Sequence, residues 1–94
     1  GHFGNPLQGA AFRGHTGVLK LLLANGARID AHGGFFGTAL QAAASQRHLE
    51  AVKVLLEQGA NPNIAPSGFY GSALAAATAL GFRDIIQVLV DWGA

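Results

Sequence analysis

The sequence contains no cysteine and no methionine, and only 12% of its 94 residues are charged. Without cysteine, the chain can form neither a disulfide nor a thiolate metal site. A formal net charge of +1 argues against a nucleic-acid-binding surface. The apolar runs are far shorter than the roughly 18–20 residues that a membrane span needs. Because it lacks methionine, the sequence is expected to be a piece of a longer protein.

Half of the residues are hydrophobic, which is enough to build one small domain over residues 1–94. No basic stretch leads into an apolar core at the first residues, so no signal peptide is predicted. The expected location is therefore intracellular, in the cytoplasm.

Three segments of the chain repeat one pattern, at intervals of 33 and then 34 residues. Residues 4–11 align with residues 37–44, and these align with residues 71–77. The one additional residue falls in the loop between Gly59 and Gly71, where stacked repeats tolerate insertions. The predicted units, called units 1, 2 and 3 below, cover residues 4–36, 37–70 and 71–94.

Each unit predicts two helices followed by a turn. The first helix follows a side chain that can cap it, which is Asn5, Thr38 or Ser72. The second helix carries apolar residues at spacings of three and four and ends at a glycine suited to a left-handed cap. These glycines are Gly26, Gly59 and Gly93. The connectors between units are rich in glycine and are predicted to be turns.

Unit 2 carries the most complete version of the repeated pattern. Residues 38–44 read Thr-Ala-Leu-Gln-Ala-Ala-Ala, His48 follows between the helices, and residues 58–63 read Gln-Gly-Ala-Asn-Pro-Asn. This pattern resembles ankyrin repeats, and in particular the long arrays of filamentous fungi, with Gln41 where the family usually has histidine. The resemblance implies an all-α fold, an ankyrin-repeat solenoid of stacked helix-turn-helix units joined by hairpin-like loops. About two and two-thirds repeats are present.

Two departures from the family affect the backbone. The usual aspartate–glycine tip of the connector is replaced by Gly-Gly-Phe-Phe-Gly at residues 33–37. Arg47 stands between the helices, where unit 1 has Gly14, and a left-handed arginine there would cost about 1 kcal/mol.

The residues that could serve in catalysis or metal binding are better explained by structural roles. His15 and His48 occupy one register, but a zinc site normally needs four ligands, so each histidine is expected to hold its interhelical turn by a backbone hydrogen bond. Glu50 and Glu57 recur as Asp84 and Asp91, which is typical of a solvated helix face. We find no nucleophile elbow and no phosphate loop. The sequence therefore predicts no enzyme, no cofactor and no metal.

The resemblance implies a binding surface on the concave side of the stack, made of connector tips and the ends of the first helices. The candidate partner-binding residues are Phe35, Phe69, Phe36, Tyr70, Phe12, Arg13, Ser45, Gln46 and Leu80. His2 and Phe3 occupy the matching tip in unit 1. The regular recurrence of Phe3, Phe36 and Tyr70 favours a packing role for that position, whereas Phe35 and Phe69 are better placed for contact.

The predicted function is a non-catalytic protein–protein interaction scaffold that binds a protein partner on its concave surface. The alternative is a structural spacer or a self-associating segment that stacks through uncapped repeat ends. Six scattered basic residues predict no nucleic-acid partner, and no membrane partner is expected.

Overall fold

The computed structural model describes residues 4–64 and 66–94, so the tip residues His2 and Phe3 lie outside it. Within these ranges the chain forms six α-helices and no strand longer than an isolated bridge. The helices are α1 Pro6–Arg13, α2 Thr16–Ala24, α3 Ala39–Ser45, α4 Leu49–Glu57, α5 Ala73–Leu80 and α6 Arg83–Asp91. Each unit therefore contributes one pair of short helices.

The first helix of each pair begins where its capping residue predicts. The side chain of Asn5 accepts a hydrogen bond from the Gln8 amide at 2.9 Å. Thr38 and Ser72 cap α3 and α5 in the same way, at 3.2 and 3.0 Å. These bonds satisfy amides that have no partner within the helix, so the three predicted caps are confirmed.

The second helix of each pair ends two residues before its predicted glycine, which directly follows the C-cap residue. Gly26, Gly59 and Gly93 have φ angles of 92°, 100° and 96°. The alanine after each glycine donates its N–H back into the last turn, as Ala60 does to the Leu55 carbonyl at 2.9 Å. This arrangement requires the left-handed backbone that glycine adopts without strain.

Arg47 adopts the left-handed conformation that its register predicts, with φ of 57°. The guanidinium lies 5.5 Å from the centre of the Phe82 ring, and its Nε is 3.4 Å from a carboxylate oxygen of Asp84. Both partners belong to unit 3. A strained residue in unit 2 therefore helps to hold the next unit.

We expect Arg47→Gly to be more stable than Arg47→Ala by about 1 kcal/mol, because both variants lose the contacts to Phe82 and Asp84 but only alanine keeps the left-handed strain. Urea unfolding of the two variants measures this difference. An alanine variant as stable as the glycine variant would contradict the strain argument.

The helices form two layers. Helices α1, α3 and α5 pack side by side in one layer, and α2, α4 and α6 pack in the other. The first layer contributes small buried residues, among them Ala11, Ala43 and Ala77, each 0% exposed. The second layer contributes large apolar side chains, which are Leu19, Val52, Leu55, Leu56, Ile85 and Leu89. Each such side chain stabilises the fold by about 1.5–3 kcal/mol through burial.

The connectors between units fold back as tight turns. In the first, Gly33 donates its N–H to the Gly37 carbonyl at 2.9 Å, and in the second, Ser67 does the same to Gly71 at 2.9 Å. The altered Gly-Gly-Phe-Phe-Gly sequence therefore still makes a hairpin-like turn. Each turn carries two aromatic residues, which are Phe35 and Phe36 in the first turn and Phe69 and Tyr70 in the second.

Candidate functional site

The two connectors lie against each other in backbone contact. Phe69 donates its N–H to the Phe35 carbonyl at 2.7 Å. A Cβ atom added to Gly68 would lie 2.4 Å from the carbonyl carbon of Phe36, and one added to Gly37 would lie 2.8 Å from that of Ser67. Glycine at these positions therefore permits the close stacking that aligns the two turns.

Five aromatic rings form a continuous series across the connectors, which we call the aromatic row. Phe12 of α1 contacts Phe36 at a centroid distance of 5.1 Å, and Phe36 meets Phe35 edge to face at 4.9 Å. Phe35 stacks on Phe69 at 4.9 Å with an interplanar angle of 15°, and Phe69 meets Tyr70 edge to face at 4.9 Å. The stacked and edge-to-face arrangements among these pairs are favourable geometries for aromatic rings.

The aromatic row is exposed mainly at its centre. Phe35 is 50% exposed and Phe69 is 68% exposed, whereas Phe36 is 6% exposed. Phe12 and Tyr70 are half-buried. Phe36 is a candidate that the structure removes from the surface, because it packs between Phe12 and Phe35.

The remaining candidates lie at the ends of the first helices, where Phe12 of α1 contacts Phe36 of the first connector at a centroid distance of 5.1 Å. Arg13, Gln46 and Leu80 are exposed there. Ser45 is buried instead: it is 5% exposed, and its hydroxyl donates a hydrogen bond to the Ala42 carbonyl at 2.8 Å. Ser45 is therefore corrected from a contact position to a buried one.

Buried glutamines hold the connectors in place. The Gln41 side chain donates to the Ser67 carbonyl at 2.8 Å and accepts from the Tyr70 amide at 3.2 Å. Gln8 at the same register donates to the carbonyls of Ala31 and Gly37 at 3.1 and 2.8 Å. These glutamines were not among the candidates predicted from the sequence, although glutamine recurs at one register of units 1 and 2.

The main-chain N–H groups of His15 and His48 hold the turns between the two helices of units 1 and 2. The N–H of His48 donates to the Ala43 carbonyl at 3.1 Å, and Phe82 makes the same bond at 3.0 Å in unit 3. The imidazole of His48 does not cap α4. Its ring lies instead against Gly14 of unit 1, where a Cβ atom would be 2.6 Å from Nδ1.

The acidic residues at matching registers lie on the α2, α4 and α6 layer. Glu57 and Asp91 are exposed, as expected for a solvated face. They line a shallow groove of about 310 Å³ together with Lys53 and Trp92. Trp92 is 49% exposed and was not among the candidate binding residues predicted from the sequence.

None of the helices in the described ranges is long and apolar enough to span a membrane.

Comparison with known proteins identifies the repeat. A family model described as ankyrin repeats, in three copies, matches residues 7–94. The match covers nearly the whole chain and, with the six helices, confirms the all-α repeat fold predicted from the sequence. None of the curated proteins compared with the chain matches it.

Proposed function

We propose, from the premise that this chain belongs to the ankyrin-repeat family, that it is a scaffold that binds a protein partner at the exposed centre of the aromatic row. Ankyrin repeats are generally protein–protein interaction modules and are generally non-catalytic. We propose further that this chain acts inside the cell, in the cytoplasm.

The observation that carries the proposal is the stacked and exposed pair of Phe35 and Phe69. Two exposed aromatic rings offer a large area for burial, and aromatic residues are enriched among the hot spots of interfaces. The rings are held by backbone contact between the connectors and by the Gln41 hydrogen bonds. A partner would therefore bind a surface whose side chains are already ordered, which lowers the entropic cost of binding.

The surroundings of the pair suit a protein rather than a nucleic acid. Arg13, Gln46 and Leu80 are exposed at the helix ends and differ completely in chemistry. Such a mixture would suit the polar and partly apolar rim that commonly surrounds the apolar centre of a protein interface. A nucleic-acid surface would instead need several basic side chains in a row.

Site-specific photocrosslinking tests where a partner binds. A photoreactive phenylalanine analogue is placed singly at Phe69, Leu80, Gln58 or Gln87 in cells that express the protein naturally. Phe69 and Leu80 lie on the proposed surface, and Gln58 and Gln87 are exposed on the other helix layer. We expect one common crosslinked protein from positions 69 and 80 only. A partner captured from positions 58 and 87 alone would overturn the proposed surface.

For the crosslinked partner, we expect Phe69→Ala to weaken binding about thirtyfold, since a hot-spot aromatic contributes about 2 kcal/mol. Calorimetric titration of the purified pair measures this change. Unfolding stability should fall by no more than about 1.5 kcal/mol, because Phe69 is mostly exposed and loses chiefly its ring contacts. Gln58→Ala is the control, and an equal loss of affinity in that variant would refute a role for the aromatic row.

A further inference from the structure

The part of the chain that carries the aromatic row contains almost no charge. The candidate binding residues all lie in three stretches, residues 4–13, 31–46 and 66–80, which contain the first helices and the connectors. Arg13 is the only formally charged residue in these stretches. All five acidic residues of the chain lie elsewhere, at Asp30, Glu50, Glu57, Asp84 and Asp91. The single charge of the three stretches is therefore positive.

The guanidinium of Arg13 has no partner in the described part of the chain. Arg13 ends α1 and is exposed, and its side chain makes neither an ion pair nor a hydrogen bond with residues 4–64 or 66–94. Arg47, by contrast, meets Phe82 and Asp84 of unit 3. Within these ranges, the charge of Arg13 is thus left open to a partner.

The exposure of Arg13 follows from its register and not from its place near the start of the sequence. Gln46 stands at the same register in unit 2, which has a unit on each side, and it is also exposed. Leu80 at this register of unit 3 is exposed as well. Phe35 is 50% exposed even though Phe69 stacks on it. A partner therefore finds both the cation and the ring open to solvent.

Arg13 lies within reach of a peptide that covers the centre of the aromatic row. It directly follows Phe12, so their Cα atoms are about 3.8 Å apart. Phe12 contacts Phe36 at a centroid distance of 5.1 Å, and Phe36 contacts Phe35 at 4.9 Å. An extended segment of about three residues therefore spans the rings of Phe12 and Phe35.

We propose, on the basis of the function proposed above, that the partner binds through an acidic segment. In this segment a carboxylate accepts hydrogen bonds from Arg13, and an apolar side chain about three to five residues away packs on Phe35 and Phe69. The planar guanidinium matches the two oxygens of a carboxylate, and such charged hydrogen bonds are stronger than neutral ones. A basic segment would instead meet an unpaired like charge beside its apolar anchor. The aromatic row supplies the contact area, and Arg13 selects the charge and orientation of the bound segment.

Arg13 also has a structural role, because it stands in the last turn of α1. A cation in that turn stabilises the carbonyl end of a helix. Lysine supplies the same charge to the helix, but it lacks the planar fork that binds both oxygens of a carboxylate. The variant Arg13→Lys therefore separates carboxylate binding from support of the helix.

Selection of random short peptides, displayed on phage, against the purified chain tests the proposal. We expect the enriched peptides to carry Asp or Glu within about five residues of an aromatic or large aliphatic residue. Fluorescence anisotropy then measures the affinity of one enriched peptide, made synthetically. Arg13→Gln should weaken its binding at least about tenfold, Arg13→Lys by less, and Phe69→Ala about thirtyfold.

Arg28→Gln is the matched control, since Arg28 is also exposed but lies outside the three stretches. This variant should bind the peptide like the unsubstituted chain. Replacing the acidic residue of the peptide by its amide should weaken binding to the unsubstituted chain, with little further effect on Arg13→Gln, because the two groups form one pair. A purely structural role of Arg13 would not produce this coupling. Urea unfolding checks that the variants fold.

The outcomes separate the acidic segment from the proposed surface. Enriched peptides that depend on Phe69 but contain no acidic residue would overturn the acidic segment and leave the surface in place. Peptides that bind Arg13→Gln as tightly as Arg28→Gln would do the same. A library that yields no peptide dependent on Phe69 would overturn both.

Discussion

Gly37→Ala should destabilise the chain by about 3 kcal/mol, a large share of the stability of a domain of this size. The φ angle of Gly37 is 79°, so alanine carries left-handed strain of about 1–2 kcal/mol. A Cβ atom would also lie 2.8 Å from the Ser67 carbonyl carbon and 2.9 Å from the Gly68 amide nitrogen. These are main-chain atoms, so the second connector must shift, at a further cost of about 1–3 kcal/mol.

Gly71→Ala is the matched control for this prediction. Gly71 occupies the same register in unit 3 and has a φ angle of 89°, but no atom lies within 4 Å of an added Cβ. It should therefore cost only the strain of about 1–2 kcal/mol. The difference in urea unfolding free energy between the two variants isolates the packing of one connector on the next, and equal losses would rule that packing out.

The sequence could predict where helices begin and end, because those features depend on neighbouring residues. Asn5, Thr38 and Ser72 are caps on account of their own side chains, and the left-handed backbone at Arg47 follows from its alignment with Gly14. The close approach at Gly37 was not predictable in this way. It depends on the distance in space between two connectors that lie 34 residues apart along the chain.

The candidate site was predicted only in part, for the same reason. Equal registers of stacked units are neighbours, so contact between Phe35 and Phe69 was implicit in the repeat. The burial of Ser45 was not, because the residue at its register in unit 1 is half-buried and the one in unit 3 is exposed. The burial of a register therefore differs from one unit to the next, and the sequence pattern does not specify this difference.

Gln41→Leu should lower the free energy of unfolding by about 3 kcal/mol. Gln41 is 1% exposed, and leucine would fill much of its volume but leave the Ser67 carbonyl and the Tyr70 amide without their partner. A buried polar group left unpaired costs about 1–3 kcal/mol. Because Trp92 is the only tryptophan and lies just after α6, its fluorescence in urea reports the unfolding of unit 3.

Gln46→Leu makes the same chemical change at an exposed position next to α3, and it should alter stability by less than about 0.5 kcal/mol. Equal losses in the two variants would contradict a role for the buried hydrogen bonds. In a stack of units, stability depends on the interfaces between neighbours, so the Trp92 signal of Gln41→Leu should change at lower urea than the signal from helical circular dichroism. The same bonds hold Tyr70 and its connector against unit 2, and thereby hold Phe69 on Phe35. Gln41 is buried, yet its replacement should also weaken the partner binding that we propose for the aromatic row.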